Sequence, residues 1–293
     1  MTYTLSNLTY ELAVELGTVY EGEATGGTTT TLIDTNDLTQ ADDYWNEGTV
    51  WILDDAGGAN AAPEGEYAKI SDFDNGTSTV THGTLTAAPA AGDRYAIAKK
   101  TYTLYTMIQA INRALRNINI EYTDTTTIDT AASQTEYTLP AIAAMDLRQV
   151  FLQTKTGDAD DNRWVEIFDW YIQKTATGTQ EELILPRQYT TSRDVKLVYM
   201  APHGKLYDYN DKLDESVHME RVIFRAAWMI MNTEVQQTRS QDPYLVESRE
   251  YYKSLTQLAD VRYQIKGPQK RGRLMIPDKM VEDDAAPGEN TIS

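Results

Sequence analysis

The chain of 293 residues contains no cysteine, so neither disulfide bonds nor thiolate zinc sites can stabilise it. Its three histidines, His82, His203 and His218, lie far apart and form no spaced ligand motif such as HExxH, so we expect no transition-metal centre. Runs of about 18 apolar residues are missing, and the N-terminus has no basic segment followed by an apolar one, so neither a membrane span nor a secretory signal is expected. The motifs GxSxG, GxxxxGK[ST] and GxGxxG are also missing. We therefore predict no catalytic residue and no cofactor.

Basic residues are scarce as well. The chain has 26 Lys and Arg against 44 Asp and Glu, which gives a formal net charge of -18. Because proteins bind phosphate backbones through Lys and Arg that displace counterions, sequence-specific DNA binding is not expected. The excess of acid is concentrated between Gly26 and Ala98, where twelve acidic residues stand against Lys69 and Arg94. This segment is interpreted either as a solvated surface that keeps the protein soluble or as a wall to which passing DNA does not adhere.

The hydrophobic pattern alternates along the chain between helical and β periodicity. Leucines four residues apart predict a short helix over Ser6–Leu16, and short β-branched or aromatic runs after Thr28 predict about five or six strands. Helical spacing returns in TLYTMIQAINRALRNIN, Thr103–Asn119, and a second β-rich region follows from about Thr125 to Ala201.

Two helices are predicted near the C-terminus. Ser216 is a candidate cap for the first of them. Asp242 as N-cap with Pro243 at the first helical position starts the second, which Gly267 and Pro268 end. The short connection between them predicts an antiparallel hairpin.

From this order we predict an α+β fold, with a discontinuous helical bundle core, two inserted β modules and an extended C-terminal tail. Each amphipathic helix needs a partner for its apolar face, so the four helices are expected to meet in one bundle. The expected segments are the N-terminal helix of the bundle (1–24), an acidic β module (25–100), a bundle helix (101–120), a second β module (121–212), the helix hairpin of the bundle (213–266) and an extended docking tail (267–293).

Three other features are open to a functional interpretation. Trp164, Phe168, Trp170 and Tyr171 are interpreted as core or sheet-face aromatics, with an aromatic sugar platform as the alternative. The acidic runs at 158–161 and 208–211 are interpreted as solvated turns, because neither has the spacing of a twelve-residue calcium loop. A pair of carboxylates for glycoside cleavage is a spatial property, which the sequence leaves open.

Over about Thr103–Lys266 the chain resembles the head-to-tail adaptor (connector, head-completion or neck) proteins of tailed bacteriophages. The resemblance is carried by TLYTMIQAINRALRNI with a Thr- and Asp-rich strand and TEYTLP, then by EELILP and DVKLVYMAPHGKLYDYNDKLD, which lead into the closing helices ESVHMERVIFRAAWMIM and YLVESREYYKSLTQLADVRYQIK. It rests on the order of elements and not on an invariant motif. The module Gly26–Ala98 departs from the smaller adaptors, which lack such an insertion.

The resemblance implies a non-enzymatic structural virion protein. It would form a homo-oligomeric ring, commonly twelvefold, beneath the portal protein, contact a downstream tail or neck protein, and let genomic DNA pass without specific binding. The expected location is the head-tail junction of the virion, and the host cytoplasm during assembly.

The C-terminal tail has a composition that cannot build its own core: a basic cluster, a short apolar patch and an acidic end. It is interpreted either as a frayed terminus or as a segment that docks on the portal. The candidate docking residues are Lys270, Arg271, Arg273, Leu274, Met275 and Ile276. Two alternative functions are kept: another tail component (a tail terminator, a baseplate protein or a fibre-attachment protein), and a carbohydrate-binding or glycoside-cleaving protein that uses Trp164 and Trp170.

Overall fold

The computed structural model describes residues 2–58, 61–154, 163–174, 181–190, 192–238, 242–270 and 273–274, and only the backbone of 144, 145, 238, 273 and 274. The chain forms two compact units. Unit 1 consists of Met1–Ile120 and Pro202–Lys266, and unit 2 of Glu121–Ala201 and Gly267–Ser293.

A seven-stranded antiparallel sheet dominates the first half of unit 1. Its strands are β1 Val19–Glu23, β2 Gly26–Thr28, β3 Thr31–Ile33, β4 Thr49–Asp54, β5 Tyr67–Asp74, β6 Thr79–His82 and β7 Arg94–Ala98. They lie in the order β1-β7-β4-β5-β6-β3-β2. A buried cluster that includes Val50, Ile70 and Ile97 forms its core.

Three acidic residues of this sheet region are buried, and each holds a loop. The Asp34 carboxylate accepts hydrogen bonds from the Tyr95 hydroxyl at 2.7 Å and from two backbone N–H groups. Asp93 accepts from the N–H groups of two loop residues, at 3.0 and 2.8 Å, and Glu66 accepts from Thr86. The interpretation of the acidic segment as solvated surface is therefore wrong for these three residues, because their charges stabilise loop backbone in the interior.

Four helices complete unit 1: α1 Leu5–Glu15, α2 Leu104–Leu115, α4 Met219–Thr238 and α5 Pro243–Arg262. Side chains cap three of them: Thr4 in a capping box, Thr103, and Asp242, which accepts from the Tyr244 N–H as the sequence predicts. Helix α4 begins at Met219, so Ser216 is not its cap; Ser216 donates to Asp214 instead.

The helices pack on each other and on the sheet. Helix α4 contacts α1, α2 and α5, and α1 also contacts α2. Helix α1 is tied to strand β4 by Trp51, whose indole N–H donates to the Thr9 hydroxyl at 3.0 Å, both side chains being buried. At the other end of α1, the Tyr252 hydroxyl of α5 donates to the Glu15 carbonyl at 2.7 Å.

Unit 2 is built on two four-stranded sheets with one short helix, α3 Ala141–Met145. One sheet has the order β11-β10-β14-β8 and the other β15-β12-β13-β9. Their side chains share one buried cluster that includes Leu147, Leu183 and Leu197. The strands are β8 Asn119–Asp129, β9 Glu136–Thr138, β10 Leu147–Gln153, β11 Trp164–Ile167, β12 Tyr171–Lys174, β13 Glu181–Ile184, β14 Asp194–Pro202 and β15 Arg273–Leu274.

The predicted helical bundle core is wrong. The structure is 32% strand and 26% helix, and strand side chains supply most of a buried cluster in each unit. The physical reason is that an amphipathic stripe predicts that one face of a helix is buried, but it does not identify the element that packs on that face. Here α1 buries Leu8 and Leu12 beside the sheet that carries Trp51, so the sheet is part of its partner.

Candidate protein–protein interface

An open groove of about 380 Å³ lies between α2 and α4 in unit 1. Helix α2 turns Met107, Ile111 and Ala114 inward, so the residues of its opposite face line the groove. The exposed side chain of Tyr105 stands at its edge. The lining side chains of α2 and the segment before it are Thr101, Tyr102, Tyr105, Thr106, Gln109, Ala110 and Arg113, and those of α4 are Met229, Ile230, Thr233, Glu234 and Gln237.

A hydrogen bond fixes one end of this groove. The Tyr102 hydroxyl donates to Glu234 Oε2 at 2.9 Å and joins the segment before α2 to the last part of α4. Burial, followed by this bond to the carboxylate, raises the pKa of the Tyr102 hydroxyl well above its usual range. The hydroxyl therefore stays protonated and remains a donor to the Glu234 carboxylate.

A charged clamp holds α5 against α4. Asp260 of α5 pairs with two guanidinium groups of α4, with Arg221 through Nε at 2.9 Å and with Arg225 through Nη2. The side chains of Arg221 and Arg225 are 15% and 14% exposed, so both charges are largely removed from water. The Tyr263 hydroxyl adds a bond to Glu220 Oε2 at 2.7 Å. The clamp fixes which face of α5 is turned outward.

His218 belongs to the same corner. Its ring stacks on that of Tyr263 with centroids 3.7 Å apart and an interplanar angle of 2°. The histidine thus packs beside the start of α4, and His82 and His203 lie elsewhere, each with Nδ1 donating to the carbonyl of the following glycine.

The outward face of α5 carries an apolar stripe. Tyr244, Tyr251 and Leu258 follow one another at intervals of seven residues and are 74%, 55% and 61% exposed, and Val261 extends the row. The buried face of the helix, with Tyr252, Thr256 and Ala259, points elsewhere. We call Tyr244, Tyr251, Leu258 and Val261 the α5 stripe. A row of large exposed apolar side chains on one helix is typical of a surface that another protein covers.

A second pocket of unit 1 lies next to the groove, because Thr101 lines both. Tyr44 and Trp45 meet edge to face with ring centroids 4.8 Å apart, and the Lys99 ammonium lies 4.0 Å from the centroid of the Tyr44 ring. The Trp45 indole N–H donates to Gln40. Trp45 is 3% exposed and belongs to the buried cluster of the sheet, so its ring supports Tyr44 from below and offers no face of its own to a partner.

The structure places part of the predicted docking tail on the chain's own sheet. Arg273 and Leu274 form β15, which pairs in parallel with Tyr171 and Ile172 of β12. Lys270 is exposed, and Gly267 approaches Met200 of β14 so closely that an added Cβ would lie 2.6 Å from its sulfur. The candidate docking residues Arg271, Met275 and Ile276 lie outside the described residues.

Trp164 and Trp170, the tryptophans of the alternative sugar-platform interpretation, do not meet at one open face in unit 2. Trp170 is 1% exposed and belongs to the buried cluster, so its ring offers no face to a ligand. The Lys196 ammonium lies 5.2 Å from the centroid of the Trp164 ring. The two tryptophans named for this role therefore do not form one open surface.

The acidic turns give no metal site in the part of the chain that is described. Asp211 Oδ2 accepts from the N–H groups of Tyr207 and Asp208, at 2.6 and 3.0 Å, and these bonds lower the pKa of its carboxyl. The run 158–161 lies outside the described residues. No group of three or more His, Asp or Glu side chains that could hold a metal ion occurs among the described residues. Nor does any helix there have the length and apolar character to cross a membrane.

The sequence contained a signal for the α5 stripe that helix prediction alone does not use. The periodicity of α5 identifies a helix, but Tyr244, Tyr251 and Leu258 repeat at seven residues on a face other than the one with Tyr252 and Ala259. A helix with two apolar faces requires two partners. The second face is therefore the feature that marks this site.

Comparison with known proteins adds no relative to these observations: no protein-family model matches the sequence, and no curated protein matches it.

Proposed function

We propose that the chain is a non-enzymatic structural virion protein, a head-to-tail adaptor that forms a ring beneath the portal of a tailed bacteriophage. In this role it connects the capsid to the tail and lets DNA pass. The observation that carries the proposal is that unit 1 presents two open surfaces, the groove between α2 and α4 and the exposed apolar α5 stripe. A subunit that works inside an assembly requires such surfaces, because its neighbours bury them.

The charge of the chain supports the same role. With a net charge of -18, the protein repels the phosphates of passing DNA and offers few sites to which it would adhere. The element order that resembles the adaptor family supports it independently, since strands β8 to β14 are followed by the helices α4 and α5.

Two alternative functions have less support from these surfaces. Another tail component would use the same exposed surfaces but bind a different neighbour. A carbohydrate-binding protein would need an open aromatic platform, and the burial of Trp170 weighs against it.

The test is light scattering behind size exclusion on the purified chain, alone and mixed with the portal protein of the same genome. Co-elution at a fixed ring stoichiometry is the expected result, and a chain indifferent to portal would contradict the proposal. Two truncations then examine the tail. Removal of 275–293 keeps β15, whereas removal of 267–293 also takes away the strand that pairs with β12. Portal association lost in both variants assigns docking to 275–293, and unchanged association in both contradicts a docking role of the tail.

A further inference from the structure

We propose that the α5 stripe of one subunit seats in the groove between α2 and α4 of the next copy of this chain. This contact rests on the proposed ring and names the surfaces that close it. The occupant of each surface is thus a second copy, and the contact is heterologous, because the stripe and the groove are different patches.

The dimensions of the two surfaces agree. At about 1.5 Å per residue, the twelve residues of α2 span about 18 Å, and the stripe from Tyr244 to Val261 spans about 26 Å. The stripe can therefore cover the groove along the whole of α2. Large side chains that recur every seven residues form one ridge of a helix, which is the shape that fills a groove between two others.

The charges at the two ends of each surface fix the direction. Exposed Glu247 lies in the N-terminal half of the stripe and exposed Arg262 at its C-terminal end. The groove has Arg113 toward the C-terminal end of α2 and Glu234 at the opposite end, beside Tyr102. Opposite charges meet at both ends only if α5 of the next copy runs antiparallel to α2. Glu247 then faces Arg113, and Arg262 faces Glu234.

The positions of the groove and the α5 stripe allow one copy of the chain to bind after another. Helix α4 packs against both α2 and α5, so the groove and the stripe are carried by two different helix pairs of one unit. Each subunit can therefore offer its stripe to one neighbour and its groove to another. Such contacts close into a ring when the rotation between copies is right.

Because the chain has no cysteine, introduced cysteines report this contact without background. Gln109→Cys places a thiol at the middle of the groove and Ser254→Cys places one at the middle of the stripe, both at exposed positions. The two single variants, tagged to differ in mass, are mixed as full chains and oxidised. We expect a disulfide heterodimer from the mixture and a ladder of higher oligomers from the double variant. In the control, Gln109→Cys is mixed with Asn75→Cys instead of Ser254→Cys, because Asn75 is exposed in the turn between β5 and β6, away from the stripe.

Substitutions test the same contact without oxidation. Leu258→Glu puts a charge into the stripe and is expected to weaken self-association by roughly 30-fold or more, as for loss of a central interface residue. Gln257→Glu, exposed on α5 outside the stripe, is the matched control and should change little. Glu247→Arg and Arg113→Glu should each weaken self-association, and the two together should restore it.

The proposal would be overturned if Gln109→Cys formed no more heterodimer with Ser254→Cys than with Asn75→Cys. It would also be overturned if Ser254→Cys alone formed dimers in place of the heterodimer, since such dimers indicate a twofold contact of stripe with stripe. The portal experiment separates the two claims. Portal binding without the cross-link refutes this contact and leaves the adaptor function standing, whereas the cross-link without portal binding does the reverse.

Discussion

Substitution of Asp260 by Asn should weaken the packing of α5 on α4 and lower the free energy of unfolding. The change removes the negative partner of Arg221 and Arg225, whose side chains are 15% and 14% exposed, while leaving the size of the residue 260 side chain almost unchanged. Removing one partner of a fully buried ion pair costs about 3–5 kcal/mol. Because the Asp260 side chain itself is 32% exposed, water screens part of the interaction, and we expect a loss of about 2 kcal/mol in the free energy of unfolding.

For a unit of this size, a loss of about 2 kcal/mol corresponds to about 4–8 °C in the unfolding midpoint. Thermal and guanidinium unfolding followed by tryptophan fluorescence measure it, since Trp228 lies in α4 itself. Glu250→Gln is the matched control on the same helix. Glu250 pairs with Arg249 and Lys253 at the surface, where ion pairs contribute about 0–1 kcal/mol. Equal, small effects of the two substitutions would refute the clamp.

Two further predictions concern buried polar groups. Trp51 and Trp170 are both fully buried, but only the Trp51 indole N–H has a partner among the described residues, the Thr9 hydroxyl. In urea unfolding, Trp51→Phe should therefore lower the free energy of unfolding by about 1–3 kcal/mol more than Trp170→Phe does. Equal losses would contradict this account. Burial lowers the pKa of His82, so below about pH 6.5 the unfolded chain takes up a proton that the folded chain does not. As the pH is lowered from there to the lowered pKa, the free energy of unfolding should decrease. His82→Asn should flatten that part of the pH profile, and an unchanged slope would show that His82 is not its source.

The sequence predicted the individual elements of unit 1 better than their assembly. The stripe of α2 and the cap at Asp242 are local signals, because they depend on residues within a turn or two of each other. The bundle core failed because the partner of a helix face is set by distant residues: Trp51 reaches Thr9 across 42 positions. Likewise, twelve acids in one segment look alike in the sequence, and only the folded sheet separates buried Asp34 and Asp93 from the rest.

The clamp and the groove could not be predicted from local sequence patterns, because their residues lie far apart in the sequence. Asp260 meets Arg221 and Arg225 only after the hairpin of α4 and α5 has formed, and Tyr102 meets Glu234 across 132 positions. The heptad spacing of the α5 stripe, in contrast, could be read from the sequence. It indicates that a second partner exists, while the identity of that partner depends on the shape of a groove that residues 101–113 and 229–237 build together.

Salt should strengthen self-association of this chain rather than weaken it. Two copies that each carry a net charge of -18 repel each other over distances that salt screens, with a Debye length of about 10 Å at 0.1 M. The two end pairs of the proposed contact, Glu247 with Arg113 and Arg262 with Glu234, lie at its rim, where ion pairs contribute about 0–1 kcal/mol each and mainly set orientation. Relief of the overall repulsion therefore outweighs the screening of the pairs. Sedimentation velocity at rising NaCl should show tighter association, and Leu258→Glu should show little association at any salt. Association that weakens steadily with salt would mean that the charge pairs, and not the apolar stripe, hold the copies together.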